Sequence, residues 1–120
     1  MILVDTSVWI DHLRANDETL AAHLNAGRVL AHPFVIGELA LGQMRHREIV
    51  LAALLDLPQA DVATDAEVLR FIDAHDLAGR GIGYVDVHLL AATRLSVPAK
   101  LWTRDKRLGS VAAALGLAAA

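Results

Sequence analysis

The sequence predicts an α/β domain built on a mainly parallel sheet. Three observations carry that reading: short β-branched apolar runs, longer helical patterns between them, and helix start signals soon after the runs. Ile2-Leu3-Val4 is too short for a helix and continuously apolar, the pattern of a strand buried on both faces. Asp5-Thr6-Ser7 follows, residues that favour turns and helix N-caps. Val8, Trp9, Ile10 and Leu13, with Asp11, His12 and Arg14 between them, predict a short helix. Leu20, Ala21 and Leu24, with a stop at Gly27, predict a second one. Arg28 to Ala31 reads as the second strand, and Pro33 opens a helix through Glu38 to about Gly42. Another helix covers Glu48 to Leu55 and ends before Pro58. A short strand is expected near Val62, then a helix through Leu69, Phe71, Ile72 and His75, started by the capping-box spacing of Thr64 and Glu67. Gly79-Arg80-Gly81-Ile82-Gly83 lacks the ending of a phosphate loop and reads as backbone freedom before a helix. That helix, Tyr84 to about Leu95, is apolar on most faces and therefore central. Lys100 to Thr103 is a further strand, Asp105 a cap, and Lys106 to Leu115 the last helix.

Length and composition bound what such a domain can be. With 120 residues the chain makes one compact domain, expected to span residues 1–120. The hydrophobic fraction is 55%, yet no apolar run approaches the roughly 18 residues a membrane helix needs. Met1-Ile2-Leu3-Val4 has no basic region before it and is closed by Asp5, unlike a secretion signal. There is no cysteine, so disulfides and thiolate metal sites are excluded, and a cytoplasmic location is expected. The surplus of apolar residues suits a homodimer or partner interface as well as it suits an alanine- and leucine-rich helical protein. The helix pair bearing Trp9, Leu13, Leu20 and Leu24 is the expected docking surface for a partner helix.

A net charge of −3 rules out a basic nucleic-acid coat, but the charge is uneven. Residues 56–76 hold six acids against Arg70 alone. From Arg94 onward there are five bases against Asp105 alone, a segment that suits an anionic ligand or simply a solvated face.

Four acids stand in apolar contexts. Asp5 closes the first strand, Glu38 interrupts an apolar helix, Asp86 lies in the first turn of the most apolar helix, and Asp105 follows Trp102-Thr103. Ligands of parallel α/β sheets bind beyond the carboxyl ends of the strands, where Asp5 and Asp105 fall. Each acid alone also has a bland reading: Asp5 and Asp105 as caps, Asp86 as a dipole partner, Glu38 as a surface charge. Together they would repel one another without cations, and an all-oxygen donor set suits Mg²⁺ or Mn²⁺ and phosphodiester chemistry. The six histidines form no metal pair on an evident helix face; His88 is read as structural, and Trp9 and Trp102 as core.

Val4-Asp5-Thr6-Ser7, Pro33-Phe34-Val35-Ile36-Gly37-Glu38-Leu39, Gly83-Tyr84-Val85-Asp86-Val87-His88 and Leu101-Trp102-Thr103-Arg104-Asp105 resemble the acidic motifs of PIN-domain nucleases. In order, spacing and length the chain is similar to the VapC-type toxins throughout. The resemblance implies a three-layer α/β/α PIN-like domain with a mainly parallel central sheet. It further implies Mg²⁺- or Mn²⁺-dependent endonucleolytic cleavage of RNA and inhibition by a cognate VapB-type antitoxin. By position, Asp5, Glu38, Asp86 and Asp105 become the catalytic acids, and Asp5, Asp86 and Asp105 the metal ligands. Thr6, Ser7 and Thr103 stand behind them to orient carboxylates or water. Arg80, Arg104, Lys106 and Arg107 are candidates for RNA contacts and equally for ordinary surface charges. Two rival readings remain: a non-catalytic PIN-like binding module, and an Asp-nucleophile phosphatase of the haloacid-dehalogenase type. Ser7 stands where that phosphatase needs a second acid, and unused buried carboxylates weigh against a mere binding module.

Overall fold

A computed structural model describes residues 1–119. Three parallel strands, β1 (Ile2–Val4), β2 (Val29–Leu30) and β3 (Lys100–Trp102), form a sheet of order β2-β1-β3. Among the described residues, seven helices accompany it: α1 (Thr6–Ala15), α2 (Glu18–Asn25), α3 (Pro33–Leu41), α4 (Arg47–Asp56), α5 (Asp65–Ala74), α6 (Tyr84–Leu95) and α7 (Lys106–Ala114). This is the expected α/β class with a parallel sheet. No described helix is long and apolar enough to cross a membrane.

The register decides what comes together. Leu3 pairs with Leu30 and Leu101, and Val4 with Trp102, so all three strands end on the same side. The residues that follow, Asp5 after β1 and Thr103 after β3, are brought side by side, and the Asp5 N–H still donates to the Trp102 carbonyl at 2.9 Å. β2 leads through Ala31 and His32 into α3, which starts at Pro33, where a missing N–H costs nothing. Helix α6 is the central one: Val87, Leu89, Leu90, Ala91 and Ala92 are all buried. Leu3 and Val4 are also buried, as a strand covered on both faces requires, and so is Val8 of α1.

Two expectations are corrected. No strand forms near Val62, which is exposed; instead Gln59 makes a single parallel bridge to Ala31, and the chain runs irregularly to α5. Thr64 and Glu67 do form the expected capping box, at 3.1 and 2.9 Å. The four residues expected to form a docking surface on the α1–α2 pair do not present an open apolar face. Trp9 and Leu20 are core residues, 3% and 0% exposed, and Leu13 and Leu24 pack partly buried against that core. The physical reason is the shortness of the strands, which leaves the helices to supply much of the buried apolar surface. Ile10 of α1 is exposed, but the larger apolar exposure lies at Leu41, Ile49 and Leu55 on α3 and α4.

Candidate active site

Asp5 occupies the N-cap position of α1, yet its side chain caps nothing. Its carboxylate Oδ2 instead accepts from the Ser7 hydroxyl at 2.7 Å and the Thr103 hydroxyl at 2.8 Å. At 7% exposure this is a buried carboxylate, and two hydroxyl donors offset part of its desolvation. Ser7 Oγ also accepts from the Arg104 N–H at 3.0 Å, which ties the segment after β3 to the start of α1.

The other three acids are anchored in a similar way. Glu38 lies exposed on α3 and takes the Thr6 hydroxyl on Oε1 at 2.7 Å. Asp86 is the third residue of α6, and its Oδ2 accepts from the Gly83 N–H at 3.0 Å. Asp105 caps α7, its Oδ1 accepting from the Leu108 N–H at 2.9 Å. The bland readings of Asp86 and Asp105 therefore hold, but they account for one carboxylate oxygen each. Among the described residues every one of the four acids has one oxygen tied by the fold and one without a protein partner.

The four acids sense one another. Burial pushes the Asp86 carboxyl above the usual carboxylate range; the Gly83 N–H acts the other way, and the charges of Asp5, Asp105 and Glu38 raise it further. The mutual repulsion expected of the four acids contributes to this rise, and burial leads it. Among the described residues no three His, Asp or Glu side chains already stand close enough to hold a metal ion. Asp5, Asp105 and Glu38 are nonetheless near enough to Asp86 for their charges to act on it. Four open oxygens with no nitrogen or sulfur among them are a donor set that fits a hard divalent cation.

The basic residues divide. Arg104 is drawn away from the acids, paired with Asp11 of α1 and Asp17 at the cap of α2, its guanidinium 5.8 Å over the Trp102 ring. Its charge is already matched, which the sequence could not reveal across 93 and 87 residues. Arg107 lies across Gly81: a Cβ there would sit 2.9 Å from its Nη1. Gly81 has φ +79°, so the backbone favours glycine there, whereas the exposed Arg107 side chain could move aside. Arg80 and Lys106 are exposed.

His88, read as structural, is buried. It belongs to a second cluster, with Phe34 between His32 and His88 at ring distances of 5.1 and 4.7 Å, and Tyr84 edge-on to His88.

The matched ends of the strands, the acids on α3 and α6 and at the cap of α7, and the hydroxyls behind Asp5 coincide with a recognised family. The PIN domain model matches residues 2–114. The chain belongs to the PIN-domain family, and within it to the VapC type. It is similar to the protein named Ribonuclease VapC32 in two strains of Mycobacterium tuberculosis. Each is 51% identical over 120 residues, covering 100% of this chain and 97% of the relative.

Proposed function

We propose that this chain is a metal-dependent endoribonuclease, the toxin of a type II toxin–antitoxin pair, acting in the cytoplasm through Asp5, Glu38, Asp86 and Asp105. The observation that carries the reading is the half-committed state of all four acids. Each is oriented by a hydrogen bond from the fold and keeps one oxygen free. A purely structural set of caps gives no reason for Asp5 to be buried while its side chain caps no backbone N–H. The name of the relatives, a ribonuclease, points the same way.

Asp5, Asp86 and Asp105 are the residues that would hold Mg²⁺ or Mn²⁺. A bound ion of that kind supplies Lewis acidity at a phosphoryl oxygen and makes water a better nucleophile near neutral pH. Ser7 and Thr103 fix the Asp5 carboxylate so that its second oxygen keeps one direction, and the Gly83 N–H does the same for Asp86. Glu38, exposed and steered by Thr6, orients the attacking water and takes its proton on Oε2. The α6 N-terminus adds positive potential beside Asp86.

The test is cleavage of a structured RNA by the purified protein. Internal cuts should appear with Mn²⁺ or Mg²⁺ and stop with EDTA, and Asp5→Asn and Asp86→Asn should be folded but inactive. Equal cleavage by the wild type and both variants would mean a contaminating nuclease and end this reading. For the toxin role, induced expression should arrest bacterial growth in an Asp5-dependent way, and a small protein encoded beside the gene, of the VapB type, should relieve it. Growth unaffected by expression would remove the toxin role and leave the nuclease.

A further inference from the structure

A groove of about 930 Å³ runs from Glu38 along the seam between α1 and the α3–α4 turn. Its floor is apolar: Leu39 is buried, and Leu13 and Met44 are partly buried against the core. Its two walls each carry an exposed arginine, Arg14 in the last turn of α1 and Arg45 in the turn. Among the described residues no carboxylate lies within ion-pair distance of either one, whereas Arg104 is paired twice. The wall that bears Arg45 is braced. The Arg47 guanidinium donates to the Ala40 carbonyl at 2.8 Å, and the Gly42 N–H donates to the Leu39 carbonyl at 3.1 Å.

We propose that this groove is the track along which a single-stranded stretch of RNA enters the acidic centre, with Arg14 and Arg45 holding its phosphates. The proposal rests on the nuclease reading and adds the substrate's path to it. Two unmatched cations beside an apolar floor call for a ligand that alternates negative charge with apolar faces, as an unpaired RNA strand does. A duplex would offer the floor nothing, because its base faces are stacked away inside it. The groove opens onto Glu38, one of the four acids, so a strand lying in it is delivered to the reacting end. No aromatic side chain lines it, so bases meet aliphatic and thioether surface without a stacking platform. Affinity here should come from phosphates, with strong salt dependence and little preference among bases. The arginines of this track are distinct from Arg80, Arg104, Lys106 and Arg107.

The experiment measures binding of a labelled, unstructured RNA oligonucleotide to the Asp5→Asn protein over a range of salt. Arg14→Gln and Arg45→Gln, both exposed positions whose melting temperatures should not move, are each added to that background. Each should weaken binding about tenfold at low salt, the size expected for one charge-assisted contact. Each should also make the log–log salt dependence shallower by about 0.7, the value for one phosphate contact on a single strand. In the otherwise wild-type protein they should raise KM and leave kcat nearly unchanged. Unchanged affinity and salt slope, with cleavage still dependent on Asp5, would overturn the track and leave the nuclease standing. The track is equally overturned if the substitutions abolish capture of a small protein partner while RNA binding is untouched, since the groove then belongs to that partner. Failure of the unsubstituted protein to bind or cut RNA at all would overturn the nuclease reading and the track together.

Discussion

Two polar clusters, one part-exposed and one buried, hang on the same pair of helices and are built by opposite rules. α3 contributes Glu38 to the acidic centre and, with its His32 cap and Phe34, forms half of the histidine cluster. α6 contributes Asp86 to the first and His88 to the second, two residues apart and so about 200° around the helix. In the acidic centre Asp5 is buried, and hydroxyls and backbone N–H groups steer the carboxylates while one oxygen of each stays open. In the other, His32 and His88 are 0% and 1% exposed and surrounded by aromatic edges. Among the described residues the His32 Nε2 and both His88 ring nitrogens lack a hydrogen-bond partner. The His88 Nε2 comes within 3.4 Å of Asp65 without bonding geometry, while Tyr84 takes the same carboxylate oxygen at 2.9 Å. One cluster concentrates charge at some cost to the fold; in the other, burial disfavours the charged form of His32. Substitutions should therefore separate along activity in the first and along stability in the second.

The largest expected effect is on catalysis. Asp5→Asn should lower RNA cleavage on the order of a thousandfold, the scale of several kcal/mol of metal-centred stabilisation, with an unchanged circular dichroism spectrum. Partial activity close to wild type would erase the contrast.

Next comes acid stability. Burial, assisted by the charge of His88, lowers the His32 pKa from 6.5 to about 4. The unfolded chain then takes up a proton that the folded one refuses, so stability present above pH 6.5 is lost as pH falls towards 4. The loss is up to about 3 kcal/mol. His32→Asn keeps an acceptor for the Phe34 N–H, whose bond to His32 Nδ1 is 3.0 Å. Denaturant melts across this window should be flatter for the variant, and its RNA cleavage at neutral pH should match the wild type. An equally steep acid loss in the variant would place the sensitive group elsewhere.

Metal binding gives a comparable but conditional effect. An ion bound only by the folded state adds roughly 2.7 kcal/mol at a hundredfold excess over its Kd. Because the Asp86 carboxyl titrates above its ordinary value of 3.8, its contribution is full at low pH and lost as pH climbs through the raised value. Metal-free Asp86→Asn should therefore melt no lower than wild type at neutral pH and should gain less from Mn²⁺. A strongly destabilised variant in a protein indifferent to Mn²⁺ would reduce Asp86 to a structural partner of Gly83.

The smallest effect distinguishes orientation from ligation. Thr103→Val removes one of the two hydroxyls on Asp5 and should cost 10- to 100-fold in activity or metal affinity, the usual range for a group acting through a ligand. A loss as large as that of Asp5→Asn would mean that Thr103 meets the reacting atoms itself.

How much of this was legible in the sequence depends on the range of each signal. The helix from Tyr84 to Leu95 and the capping box at Thr64 rest on neighbours a few residues apart, and both stand in the structure as read. Asp5, Glu38, Asp86 and Asp105 were visible because each interrupts or closes an apolar stretch. The Thr6–Glu38 bond spans 32 residues and the Thr103–Asp5 bond 98, so only a resemblance to known motifs suggested hydroxyls behind the acids. The pairing of Arg104 with Asp11 and Asp17 had no local mark, and its place among the RNA candidates reflected charge alone. The apolar residues of α1 and α2 were read as a docking face because periodicity shows that a stripe is buried, never against what.

The single bridges at Gln59 and Ala118 have a consequence for the chain's behaviour in solution. Along the outer side of β2, Ala31 donates to the Pro58 carbonyl at 2.9 Å and accepts from Ala60 at 2.8 Å. Along β3, Leu101 donates to Leu117 at 2.7 Å and accepts from Ala119 at 2.9 Å. Both free margins of the sheet are thus occupied by a residue or two of passing chain, and Lys100 stands exposed at the start of one of them. An incoming strand from another molecule finds neither a long row of vacant amides nor an uncharged rim. In a protein this rich in aliphatic residues, these short covers are what guard it against edge-to-edge aggregation.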